Sequence, residues 1–173
     1  MKKHYTDSVI KKHTEVYLYN FDLSMEYFRS LSKERFNEVL QDFIDKNSDF
    51  TEITDLTLVN GTSGYYVMVL DEYSQVYIGT SRDIKKRIQQ HWTMQMYFDR
   101  MIFGDTNHSI LSVNSFRALD TTRIFAYATS NIFTLEDQFM NQFESEYLLN
   151  RTAGGVLGGL SEAVAKRKIR SLL

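Results

Sequence analysis

The sequence predicts an α/β (α+β) fold: a small mixed or antiparallel three-stranded sheet flanked by helices, with an N-terminal strand-helix extension. Three observations carry that expectation. Short runs rich in aromatic and β-branched residues (YYVMVL, QVYIG, RIFAYAT) lie between polar or glycine-containing turns, the signature of strands. Segments between and around them repeat apolar residues at helical spacing. The chain has 173 residues, 43% of them hydrophobic, which is enough to bury one sizeable core.

Taken in order, Thr14 to Asn20 (TEVYLYN) alternates well enough to read as a short strand. Ser32 is a candidate cap for a helix whose apolar positions Phe36, Val39, Leu40, Phe43 and Ile44 share one face, ending near Lys46-Asn47-Ser48. LTLVN and YYVMVL, joined by GTSG, read as two strands, and the turn Asp71–Ser74 leads to a third over Gln75 to Gly79. A helix is expected from about Ser81 to Met96, with Ile84 and Ile88 facing inward. Phe98 to Thr122 is less regular, and Arg123 to Thr129 is a further strand candidate. Thr134, with Asp137 three residues on, suggests a capping box opening a helix with Leu135, Phe139, Phe143 and Tyr147 as its apolar stripe. The glycine pairs Gly154-Gly155 and Gly158-Gly159 precede a short basic helix. The expected division is residues 1–55 as the extension and 56–173 as the main domain.

Composition excludes several classes. Without cysteine there is no disulfide framework, thiol nucleophile or thiolate metal site. Four scattered histidines argue against a structural zinc site. No apolar run follows Met-Lys-Lys-His-Tyr and none reaches membrane-spanning length, so the expectation is a cytoplasmic protein with no membrane partner. The net charge of −2 speaks at first against nucleic acid. Its distribution speaks otherwise: residues 81–91 carry a net +3 and residues 162–173 another +3, whereas residues 7–72 hold 13 acidic groups against 6 basic ones. Arg82, Lys85 and Lys86, and the run Lys166, Arg167, Lys168 and Arg170, are therefore candidate phosphate contacts, to be screened readily by salt.

One constellation carries chemistry. Gly64-Tyr65-Tyr66 is followed after ten residues by Tyr77-Ile78-Gly79, then by Arg87 and, four residues later, His91. Adjacent antiparallel strands bring Tyr66 and Tyr77 near each other, and a helix places Arg87 and His91 on one face. A guanidinium suits phosphate oxygens, and phosphodiester cleavage needs an oriented water, a base and charge stabilisation. Singly, these are ordinary residues: strand tyrosines, a solvated helix face, a carboxylate at a helix start.

Together they resemble the GIY-YIG nuclease superfamily, most clearly over Gly64 to His91 and again over Leu135 to Gly155. The resemblance implies a GIY-YIG-like fold and a metal-dependent endonuclease that hydrolyses DNA phosphodiesters and leaves a 5′-phosphate. It implies that Glu136 binds one Mg²⁺ or Mn²⁺ and that Arg87 holds the scissile phosphate. Tyr66 or Tyr77 would activate or orient the attacking water, His91 would assist, and Asn150 would brace the site. Gly64 and Gly79 would support it structurally, Gly79 by allowing close approach. Glu144 and Glu146 are rivals to Glu136, but lie too close to Asn150 for the family pattern. As the first residue group of a helix, Glu136 is expected to stay ionised through the positive helix end.

The chain departs from the pattern at Tyr65, where an aliphatic residue is usual, in the long stretch from Trp92 to Thr122, and before about Asp55, where nothing matches. The alternative function is a catalytically inactive nucleic-acid-binding or regulatory module on the same fold. The acidic N-terminal segment, with its amphipathic helix, is a candidate for a protein partner or self-association.

Overall fold

Strand β2 (Gly64–Leu70) is buried along its whole length, and the fold is built around it. The computed structural model describes residues 6–93 and 121–150. β2 pairs antiparallel on one side with β3 (Gln75–Ser81) and on the other with β4 (Arg123–Ala128), and the two-residue β1 (Thr51–Glu52) extends the sheet beyond β4. The order is β1-β4-β2-β3, an antiparallel four-stranded sheet in a mixed α/β fold. Four strands form the sheet where three were expected, and β1 is the one that no sequence pattern marked. Its two residues pair with Phe125 and Ala126, and Ile53 N–H continues the contact to Ile124 O at 2.8 Å.

Both sheet faces are covered, which is why YYVMVL is continuously apolar rather than alternating. On one face Tyr65, Val67, Val69, Ile78 and Phe125 pack against Phe36, Val39, Leu40 and Phe43 of helix α2 (Lys33–Lys46). On the other, Tyr66, Met68 and Leu70 pack against Ile84 and Ile88 of helix α3 (Ile84–Thr93) and against Phe28, near the end of helix α1 (Asp7–Ser30). Before residue 55, α2 thus shares the sheet's core and β1 extends the sheet itself. α2 starts as expected, with Ser32 accepting from Arg35 N–H. α3 begins three residues later than expected, because Asp83 accepts from Lys86 N–H and its own N–H is taken by Ser81 Oγ.

Three expectations are corrected. Thr14 to Asn20 is helical, lying inside the 24-residue α1. No glycine or proline interrupts residues 7–30, so a seven-residue alternation gives way to the longer helix. LTLVN is not a strand: Leu56–Val59 forms a 3-10 turn, opened by Asp55 accepting from Thr57 N–H at 2.8 Å. The helix expected from Thr134 is only α4 (Glu136–Met140), followed by a turn. Its stripe is still interior, with Phe139, Phe143 and Tyr147 buried. Beyond α4, tertiary bonds take over: Gln142 accepts from Asn47 Nδ2 at 2.8 Å, and Glu144 accepts from Arg35 Nε at 2.8 Å and Nη2 at 2.5 Å. Nor is there a capping box, since Thr134 Oγ1 donates to Asn131 Oδ1 and the cap position is Leu135. The basic run Lys166–Arg170 and the glycine pairs lie outside the described residues.

Candidate active site

Register places the tyrosines. Tyr66 stands opposite Gly79 and Met68 opposite Tyr77, so Tyr66 and Tyr77 are diagonal neighbours on the face covered by α3. Their ring centroids are 6.3 Å apart. Tyr66 lies across its neighbour strand so closely that a Cβ on residue 79 would sit 2.5 Å from Tyr66 Cζ. Gly79 is therefore required by the aromatic ring it faces. Gly64 is required for another reason: its φ is +150°, and a Cβ there would collide with the backbone carbonyl of Tyr127 in β4.

α3 completes the cluster. Ile84 and Ile88 anchor it to the sheet, which turns Arg87 and His91 toward the phenols. Tyr66 Oη and His91 Nε2 are hydrogen-bonded at 2.9 Å, with either group able to donate. The Tyr77 and His91 rings meet edge-on at 4.6 Å. Arg87 is near enough to act on both phenols and on Glu136.

The electrostatics follow from partial burial. Tyr66 is fully enclosed, and burial, then Tyr77, push its pKa well above the ordinary phenol value while Arg87 opposes. Tyr77 is raised by the same desolvation, again against Arg87. Burial, with Arg87 adding to it, lowers His91 to about 4, so its imidazole is neutral at pH 7. At Glu136, burial works against the helix end. Burial and the neighbouring Asp137 raise its carboxyl, with Arg87 opposing. A five-residue helix supplies too small a dipole to outweigh that desolvation.

Tyr65 is the residue that sequence reasoning undervalued. It belongs to the opposite sheet face and is completely buried, yet its Oη accepts the backbone N–H groups of Thr134 at 3.1 Å and Leu135 at 3.0 Å. The start of α4, and with it Glu136, is tied to the central strand through that phenol. The visible signal is a tyrosine in an otherwise apolar strand on the face away from Tyr66, since a buried phenol requires a partner. Asn150 closes the free edge of β3. Its Oδ1 accepts from Ile78 N–H at 2.8 Å and its Nδ2 donates to Ile78 O at 2.5 Å, as a strand partner would. Arg82 and Lys86 are exposed and Lys85 half-exposed near the start of α3. Glu144 is occupied by Arg35, away from the cluster.

Among the described residues, Glu136 is the one carboxylate that the electrostatics couple to the tyrosine and arginine cluster. Glu136 offers a half-buried carboxylate, and no group of three or more His, Cys, Asp or Glu suited to a metal occurs among the described residues. A single oxygen-donor side chain leaves most of a hard cation's coordination to water or other oxygens, as Mg²⁺ commonly accepts. No described helix is long and apolar enough to cross a membrane. Comparison with protein-family models, with curated proteins and with solved structures finds no match to this chain.

Proposed function

We propose that the protein is a metal-dependent endonuclease of GIY-YIG type that hydrolyses DNA phosphodiester bonds. The observation that supports this reading is the gathering of Tyr66, Tyr77, Arg87, His91 and Glu136 around one sheet face, from four elements separated in sequence. Arg87 is the permanent cation of the group, suited to a phosphate and to the charge that develops on it. The two raised phenols remain protonated at neutral pH, so they serve as hydrogen-bonding groups that orient the attacking water. Neutral His91 is positioned to take the Tyr66 hydroxyl proton as Tyr66 Oη accepts one from the water, so the tyrosine ends as it began and the proton rests on the imidazole. Glu136 would hold Mg²⁺ or Mn²⁺, and the cation would supply Lewis-acid polarisation of a phosphate oxygen. Arg82, Lys85 and Lys86 would contact flanking phosphates.

The test is cleavage of plasmid and branched DNA with Mg²⁺ or Mn²⁺ by wild type, Glu136→Ala and Arg87→Ala. Both variants are expected to keep their far-ultraviolet dichroism and lose cutting by at least about 100-fold, the scale of a lost electrostatic contact in a transition state. Cutting that survives both substitutions would remove the reading.

A further inference from the structure

Phe133 is a large apolar side chain that the fold holds in water. It is 62% exposed, and its φ of +71° places it in the left-handed region that bulky residues avoid. Neither property aids packing, so the surrounding loop must impose them. Asn131 N–H donates to Thr129 Oγ1 at 3.2 Å, Ile132 N–H to Ser130 O at 3.1 Å, and Thr134 Oγ1 to Asn131 Oδ1 at 3.0 Å. Thr134 and Leu135 are fastened to Tyr65. The residues on both sides of Phe133 are thus fixed, and the ring is displayed. Strain persisting in so over-determined a loop points to use.

Its position suggests the use. Register puts Gly64 opposite both Ser81 and Ala128, so the loop after β4 leaves the same sheet end from which β3 passes to Arg82 and α3. Phe133 precedes Glu136 by three residues, a reach of at most about 10 Å along the chain. An exposed ring within that reach of Glu136 offers an apolar face close to the residues read as handling a phosphate. Aromatic rings bind unpaired bases by stacking, whereas bases within a continuous duplex already stack on each other.

We propose that Phe133 stacks on an unpaired base flanking the scissile phosphate, and that the preferred substrate is DNA with unpaired bases at a branch, flap or loop rather than continuous duplex. This rests on the nuclease reading. The experiment measures binding in the Glu136→Gln background, to prevent cutting, with 2-aminopurine at an unpaired position and with the same sequence as full duplex. Phe133→Ala is expected to weaken binding to the unpaired-base DNA by roughly 5- to 150-fold and to abolish the 2-aminopurine quenching, with duplex affinity unchanged. Phe133→Trp should retain both signals. Phe133→Gly, which relieves the backbone, should keep or raise Tm while losing the stacking signal, an outcome a packing role would not produce. Unchanged affinity and quenching in Phe133→Ala would overturn the inference and leave the nuclease reading standing. Equal losses on both DNAs with a lowered Tm would show a structural role and overturn it too. A wild type that neither binds nor cuts any of these DNAs would sink both.

Discussion

Substituting Gly79 by alanine tests the contact on which the site geometry depends. The added methyl would lie 2.5 Å from Tyr66 Cζ, where ordinary carbon contacts need about 3.5 Å or more. The ring must retreat by about 1 Å. Tyr66 has no room for this, being enclosed by Met68, Ile84, Ile88 and Ala126 in one cluster and bonded to His91 at 2.9 Å. Overpacking of that kind costs about 1–3 kcal/mol, and losing the phenol–imidazole bond adds about 1 kcal/mol. Urea denaturation should therefore show a loss of about 2–4 kcal/mol with an unchanged m-value. The clash predicts a change of sign in a second background. With Tyr66→Ala, the space above residue 79 is empty, and alanine in a strand is favoured over glycine by about 0.5–1 kcal/mol. Gly79→Ala should then be neutral or stabilising. Equal destabilisation in both backgrounds would show that the ring is not what requires glycine, and the reasoning would fail.

Other expectations follow from the same contacts. Tyr65→Phe keeps the buried ring but removes the acceptor of two N–H groups; it should cost about 1–3 kcal/mol by denaturation and reduce the proposed DNA cleavage more than that loss explains, because the start of α4 bearing Glu136 is released. Asn150→Leu should destabilise by a similar amount, about 1–3 kcal/mol, and increase hydrogen exchange at Ile78, whose N–H would lose its acceptor at the edge of β3. His91, at about 4 in the fold against an ordinary 6.5, binds fewer protons folded than unfolded between those values. Stability should be unaffected by this group above about pH 7 and fall as pH drops from 6.5 towards 4. His91→Asn should flatten that part of the stability profile, and an unchanged profile would show that His91 is not the buried neutral group described.

How far local pattern carried depends on where each element finds its partners. Helix α2 was legible to the residue at its start because Ser32 and the stripe from Phe36 to Phe43 agree, and both are used. The strands β2, β3 and β4 were legible from their aromatic and β-branched density. Residues 14–20 misled because alternation over seven residues is weaker than an uninterrupted helical context. LTLVN misled because Asp55, a turn-former, outranks the apolar letters that follow it. The four-residue spacing of Arg87 and His91, and the strand pairing of the tyrosines, could be written down from sequence because they are local or between adjacent strands.

What the chain by itself determined is the set of chemical groups and their short-range geometry: two phenols on neighbouring strands, a guanidinium and an imidazole one helical turn apart, and a later carboxylate. Only the tertiary structure decided their states. Packing of α3 on the sheet raises the Tyr66 phenol and lowers His91 to about 4, and burial raises the Glu136 carboxyl against its helix end. It also decided that Tyr65, on the far face of the sheet, anchors the segment bearing Glu136, and that Phe133 is turned outward. Sequence spacing is read along the backbone, whereas desolvation and hydrogen bonding depend on groups brought together from some seventy residues apart.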